Sequence, residues 1–224
     1  MAITDAGQIC ESTALTTITR MTLSGNVPAG GLVALGMGGR VVSGYLDIVA
    51  IMDSQGNEWD WHGVSSGYRA AWVAWSRTGV PLQSGIDWIE VRWSKAPEVA
   101  WISGHAFNGA AGSPTERDVA QGSPTTTAAE TVALAGSDDL VLSTVAYAYS
   151  VVNSTPLNSM TEQDTFDGGN VLLELLSRNV TSGPGSFAAG LSFSASRYWT
   201  VAVVSFPFEA LPAGRSTIGM FGAV

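Results

Sequence analysis

The chain has 224 residues, 46% of them hydrophobic and 13% charged, so it can bury a sizeable core without covalent staples. Its formal net charge is -9 and it has no run of Lys or Arg, which disfavours binding to nucleic acid or to an anionic membrane. A single cysteine, Cys10, excludes an internal disulfide framework. No apolar run approaches the roughly 18 residues of a membrane span, and the first residues have no signal-peptide pattern. These features predict a soluble protein made in a reducing cytoplasm, with proteins or glycans as partners.

Short apolar or alternating segments, separated by Gly, Pro and Asn, follow one another along the chain. In the segment 87–94, Ile89, Val91 and Trp93 share one face and Trp88 and Glu90 the other, the period of a half-buried strand. Similar segments cover 13–25, 31–37, 44–53, 67–76, 98–109, 125–136, 138–150, 186–196 and 197–209.

One segment, 170–179, is ambiguous. Its leucines at 172, 173, 175 and 176 also fit the stripe of a helix. A strand is favoured because Gly168 and Gly169 precede the segment and a turn-forming stretch follows it.

More than about ten strands without a convincing helix predict an all-β fold, a two-sheet antiparallel β-sandwich with a jelly-roll-like arrangement. We expect an N-terminal arm over 1–14, a single sandwich domain over 15–209 and a C-terminal tail over 210–224. The tail is punctuated by Pro and Gly and is otherwise largely apolar, and it could dock on a neighbouring subunit. The side chains available for such docking are Leu211, Ile218, Met220, Phe221 and Val224.

The segment 52–63, MDSQGNEWDWHG, combines acids, amides, two tryptophans and a histidine. Asp53 and Asn57 bracket a Gly-containing turn, which predicts a hairpin whose return strand places Trp59 and Trp61 on a common face. That face could look into the sandwich, onto a neighbouring subunit or out toward a sugar. A calcium loop would need more oxygen donors than Asp53, Asn57 and Asp60 supply.

Catalytic and metal-binding motifs are not recognisable in the sequence. His62 and His105 have no metal-ligand spacing, and neither a GxSxG elbow nor a phosphate-binding loop occurs. Four acids on predicted strands, Asp47, Asp60, Glu90 and Glu174, could supply a carboxylate pair for glycoside hydrolysis, but acids of this kind usually keep a sheet face wet. We therefore expect a protein that is not an enzyme and that uses no metal or cofactor.

Tryptophan is the compositional oddity, because seven of the eight fall between Trp59 and Trp101. Buried, they would form the core or a subunit interface, which is the favoured interpretation. Exposed, Trp59, Trp61 and Trp88, with His62 beside them, would form a platform on which a glycan could stack.

Several turn and strand signatures are similar to those of a known module. They are DSQGNEW at 53–59, PLQSGIDWIEVRWS at 81–94 with Ile86 as an extra residue, ISGHAFNGAAG at 102–112, DLVL at 139–142, TSGPGSFAA at 181–189 and YWTVAVVSF at 198–206. Their order resembles a β-sandwich module of tailed-bacteriophage virion proteins and related bacterial surface proteins. The likeness covers most of residues 15–208 and brings no catalytic set with it.

The resemblance implies a non-enzymatic structural protein of the virion, made in the cytoplasm of a bacterial host. Within that setting we expect a capsid decoration or minor capsid protein, while head fibres and minor tail proteins share the module. Its partners would be the major capsid protein or other virion proteins and its own copies, with a trimer favoured. The alternative is a glycan-binding, receptor-recognising module that uses the tryptophan platform.

Overall fold

The computed structural model describes residues 3–67, 69–136, 138–148, 153–169, 171–181 and 183–209. Fourteen strands account for most of these residues. They are β1 (Thr4–Ala14), β2 (Ile18–Thr22), β3 (Leu32–Arg40), β4 (Ile48–Asp53), β5 (Asp60–Ser66), β6 (Arg69–Arg77), β7 (Trp88–Trp93), β8 (Val99–Asn108), β9 (Glu116–Leu134), β10 (Asp139–Ala148), β11 (Ser154–Pro156), β12 (Thr161–Asp167), β13 (Val171–Val180) and β14 (Gly185–Pro207), with a 3-10 turn at Leu157–Ser159.

The strands form three antiparallel sheets. A five-stranded sheet has the order β1-β8-β3-β6-β5, and a three-stranded sheet has the order β2-β7-β4. A six-stranded sheet has the order β11-β14-β10-β13-β12, with β9 paired to β14. The prediction of an all-β antiparallel sandwich is therefore confirmed, and the three-stranded sheet is an additional layer.

The five-stranded sheet is the middle layer. Its strands β3, β6 and β8 are buried along nearly their whole length, as expected for continuous apolar runs covered on both faces. Toward the six-stranded sheet it contributes a core that we call the middle core, which includes Leu32, Trp75, Phe107, Leu142 and Phe206. The rings of Trp75 and Phe206 meet edge to face at 5.6 Å across this core.

Two further cores complete the layering. The front core lies between the five-stranded and three-stranded sheets and includes Val33, Leu35, Trp72, Val91 and Trp93. The rear core lies on the far face of the six-stranded sheet. Its members include Val132, Tyr147, Leu191, Phe193 and Val203. The strands β9 and β14 are 19 and 23 residues long, and their pairing is interrupted between Ser192 and Trp199, so they contribute to two layers in turn.

Glycines let the two large sheets approach closely. A Cβ on Gly36 would lie 2.7 Å from Leu175 Cδ1, and one on Gly38 would clash with Leu173 Cδ2 and lie 2.8 Å from Ala70 O. Since Leu173 and Leu175 fill the space above β3, a side chain at either glycine would force the sheets apart.

Most predicted strands form, with two differences in detail. The ambiguous segment 170–179 is a strand, as favoured. The two strands predicted over 186–209 are one continuous bent strand, β14. The predicted N-terminal arm over 1–14 is wrong for residues 4–14, because they form β1 and pair along β8. The predicted tail over 210–224, with Leu211, Ile218, Met220, Phe221 and Val224, lies outside the described residues.

Candidate functional site

The segment 52–63 connects two different sheets. Within the described residues, β4 pairs with β7 and β5 pairs with β6, so the predicted hairpin is wrong and the segment is instead an arch between layers. The side chain of Asp53 organises this arch. Its Oδ1 accepts hydrogen bonds from the backbone N–H groups of Gln55 (2.9 Å) and Asn57 (3.2 Å), and Gly56 takes a positive φ of 73°. Its Oδ2 accepts from Asn57 Nδ2 at 3.2 Å.

A second buried carboxylate, Asp87, fastens the arch to the loop before β7. Its Oδ1 accepts hydrogen bonds from Ser54 Oγ (2.6 Å) and Gln55 Nε2 (2.7 Å), and its Oδ2 accepts from the backbone N–H of Gln83 (2.6 Å). The hydrogen bond from Ser54, with those from Gln55 and Gln83, holds the pKa of Asp87 below its usual value despite the opposing effect of burial. The polar residues from Asp53 to Asn57 are therefore engaged by the chain itself.

The two tryptophans of the motif face inward. Trp59 and Trp61 are half-buried and pack against the front core, and Trp59 Nε1 donates a hydrogen bond to Asp53 Oδ2 at 2.9 Å. Both rings therefore turn toward the inside of the sandwich, while part of each stays accessible to solvent.

Trp88 lies on the opposite, outer face of the three-stranded sheet. The guanidinium of Arg20 covers its ring at 4.0 Å from the centroid. Beside it, Glu90 is buried and accepts hydrogen bonds from Arg92 Nε (2.8 Å) and from Arg20 Nε and Nη2 (2.9 and 2.6 Å). The hydrogen bonds from Arg92 and Arg20 hold the pKa of Glu90 below its usual value. Trp88 thus lies outside the three-stranded sheet, whereas Trp59 and Trp61 pack against the front core behind it, so the three do not form one flat platform.

The two histidines lie in different surroundings. His62 on β5 is half-buried, and burial followed by the nearby Arg117 lowers its pKa. His105 on β8 is buried, with Asp5 Oδ1 3.8 Å from its Nδ1, and within the described residues neither ring nitrogen has a hydrogen-bond partner. Burial lowers the pKa of His105, although Asp5 and Asp164 oppose that shift. Both rings therefore favour the neutral form.

The four acids considered for hydrolysis have four separate environments. Asp47 is exposed in the loop before β4, and Asp60 forms an ion pair with Arg117 at 3.3 Å. Glu90 is held by its two arginines. Glu174 is buried at the rear core, where its Oε1 accepts hydrogen bonds from Tyr147 Oη and Ser154 Oγ, both at 2.6 Å. Burial raises the pKa of Glu174 and also that of Tyr147.

An open cleft of about 560 Å³ lies where β5 begins and β6 ends. Trp59 and Arg77 line it together with three acids, Glu58, Asp60 and Glu209. Arg77 forms an ion pair with Glu209 across this region. No sequence pattern indicates this cleft, because its residues come together from four separate segments.

Five exposed apolar side chains surround one end of the three-stranded sheet, and we call them the apolar end patch. They are Leu15, Ile18, Val42, Tyr45 and Val49, each between 50% and 74% exposed. Sequence reasoning missed them because the strand pattern alone does not show which loops meet. Isolated exposed apolar residues are ordinary, whereas a group of this size at one end of a molecule marks an interaction surface.

No protein-family model, curated protein sequence or solved structure matches the chain. Across the described ranges, no helix has the length and apolar character needed to cross a membrane.

Proposed function

We propose that the protein is a non-enzymatic structural subunit of a tailed-phage virion, acting as a capsid decoration or minor capsid protein. The observation that carries the proposal is that the buried carboxylates of the candidate site bind other groups of the same chain. Asp53, Asp87 and Glu90 are each held by hydrogen bonds from the same chain, which stabilise a turn, join two loops and join two strands. Polar residues that stabilise the fold in this way are compatible with a structural subunit, which binds its partners through its surface.

The resemblance of the turn signatures to virion β-sandwich proteins supports the setting. Asp53 organises the first of the two most distinctive signatures, at 53–59, and Asp87 joins it to the second, at 81–94. They are thus explained by the fold, and a fold-level likeness carries no activity with it. In this proposal the partners are the major capsid protein or other virion proteins and further copies of the chain, bound by burial of surface area on the order of 1,000 Å² or more per interface.

The experiment is localisation on particles. Antibodies raised against the recombinant protein are applied to particles from a lysate of cells that carry the gene, followed by gold-labelled electron microscopy. We expect gold on the capsid shell. Label confined to tails would replace the capsid assignment by a tail one, and particles without label would overturn the proposal.

The alternative function is glycan binding. The cleft beside Trp59 is a better candidate for it than the flat tryptophan platform that the sequence offered as an alternative. An aromatic edge next to carboxylates and an arginine is a common way to bind sugar hydroxyl groups. The test is a glycan array with the wild-type protein and with Asp60→Asn, whose side chain is exposed and lines the cleft. Binding that the substitution abolishes would support this function, and a blank array would remove it.

A further inference from the structure

We propose that the apolar end patch is the docking site for residues 211–224 of a second copy, so that copies join end to end. The inference rests on the proposed assembly function and names the interface through which that assembly proceeds. It commits to one occupant, the C-terminal tail of a neighbour.

The patch is a single surface because its members surround the C-terminal end of β7. The backbone N–H of Trp93 donates to Thr17 O on one side (2.9 Å), and the N–H of Ser94 donates to Asp47 O on the other (2.8 Å). Ile18 lies opposite Arg92 in the β2–β7 register. Lys95 Nζ reaches Ser43 O at 3.2 Å, which brings the loop carrying Val42 and Tyr45 to the same place.

The tail has the complementary composition. Residues 211–224 contain Leu211, Ile218, Met220, Phe221 and Val224, one arginine and no acid, in a chain whose net charge is -9. A short apolar segment without acidic residues is suited to bury its side chains on an apolar patch of an otherwise acidic protein.

The tail departs from the opposite end of the molecule. Glu209, the last described residue, donates its N–H to Gly109 O and pairs with Arg77 at the end of β6. Arg77 is the register partner of Leu32, the first residue of β3, whereas the loop of Val42 follows the last residue of that strand. Eight residue steps of about 3.4 Å place these two ends roughly 27 Å apart.

This separation favours a neighbour over the same copy. Ile218, the next large apolar residue of the tail after Leu211, is nine residues beyond Glu209, a reach of at most about 32 Å when fully extended. To reach its own patch, the intervening Pro, Gly, Arg, Ser and Thr residues would have to lie stretched along the whole body. In an end-to-end pair, the tail of one copy meets the patch of the next directly. Such a contact is heterologous, so it generates a closed ring or an open chain of copies.

The experiment uses two complementary variants. The first lacks residues 211–224 and keeps the patch, and the second carries Val42→Ser with Tyr45→Ser and keeps the tail. The matched control carries Val80→Ser with Ile86→Ser, two exposed apolar residues away from the patch. Association is measured by light scattering coupled to gel filtration over a wide range of concentration.

We expect the wild type and the control to associate and each variant alone to remain monomeric. A mixture of the two variants should form a one-to-one complex and nothing larger, because it contains one working tail and one working patch per pair. Association of either variant to the wild-type extent, absence of a complex in the mixture, or a monomeric wild type at every concentration would overturn the inference.

A peptide of residues 210–224 provides a measurement that does not depend on assembly size. We expect it to bind the tail-deleted protein and to bind at least about tenfold more weakly when Val42 and Tyr45 are also replaced. Equal binding to both proteins would overturn the inference. If the peptide fails to bind but gold labels the capsid, only the docking site is wrong. If the docking holds but particles carry no label, only the virion setting is wrong.

Discussion

Replacement of Asp87 by asparagine tests whether the carboxylate joins the arch to the loop before β7. The substitution keeps the shape of the side chain but exchanges one acceptor oxygen for a donor. Asp87 is 2% exposed and accepts three hydrogen bonds, two at Oδ1 and one at Oδ2. In its better orientation the amide oxygen serves Ser54 and Gln55, and the NH₂ group then faces the N–H of Gln83 with no acceptor between them.

The expected loss follows from these contacts. The partly buried N–H of Gln83 would lose its acceptor at a cost of about 1–3 kcal/mol, and the two remaining bonds would lose their charge-assisted strength. We therefore expect Asp87→Asn to lower the free energy of unfolding by about 2–4 kcal/mol at pH 7. The measurement is urea unfolding followed by tryptophan fluorescence, with Asp47→Asn, an exposed aspartate, as the control expected to stay within about 0.5 kcal/mol of the wild type.

The pH dependence gives a second check. Because the pKa of Asp87 in the folded protein lies below its ordinary value of 3.8, its ionised form contributes full stability above that value and loses it as the pH falls toward the folded pKa. The difference between the wild type and Asp87→Asn should narrow in that acid window. A difference under about 0.5 kcal/mol at pH 7 would refute the assigned role.

Three further predictions concern other parts of the fold. Burial raises the pKa of Cys10 to about 12, so we expect its thiol to resist a thiol reagent at neutral pH until urea unfolds the chain, and rapid labelling of the native protein would contradict its core position. Because burial lowers the pKa of His105, the unfolded chain binds the proton at a higher pH than the folded one, so the free energy of unfolding should fall as the pH drops below about 6.5. His105→Gln should reduce this pH dependence in urea titrations at several pH values. An unchanged pH dependence would exclude His105 as its source. Gly38→Ala should cost about 1–3 kcal/mol or more in urea unfolding through its clash with Leu173, whereas Gly185→Ala, with open space around it, should cost less than 1 kcal/mol; equal losses would contradict the close approach of the sheets.

The strands were predictable because their patterns are local. The alternation in 87–94 predicts a half-buried strand, and β7 has Ile89, Val91 and Trp93 inside and Trp88 outside. The same parity predicts that Trp59 and Trp61 share a face, which the structure confirms. Parity gives relative orientation only, so it did not reveal that Arg20, from another strand, would cover Trp88.

The arch between the two sheets could not be predicted from the sequence, for a different reason. Asp, Gly and Asn make the same tight turn whether the chain returns in its own sheet or crosses to another. Here the arch is held by Asp87, which lies more than thirty residues beyond Asp53. The predicted N-terminal arm failed because β1 is an edge strand with a polar outer face and bulges near Gly7 and Gln8, which look like a loop in sequence.

The five-stranded and three-stranded sheets consist entirely of residues before 109, and the six-stranded sheet consists entirely of residues after 115. During synthesis the earlier half emerges first and has the strands it needs to close its own front core. The opposite face of the five-stranded sheet, with Leu32, Trp75 and Phe107, stays exposed to solvent until β10 and β14 have been synthesised and pack on it. We expect the growing chain to pass through a partly folded intermediate that exposes this apolar face. Before the second half of the chain has been synthesised, the protein is therefore most prone to aggregation and to binding by chaperones.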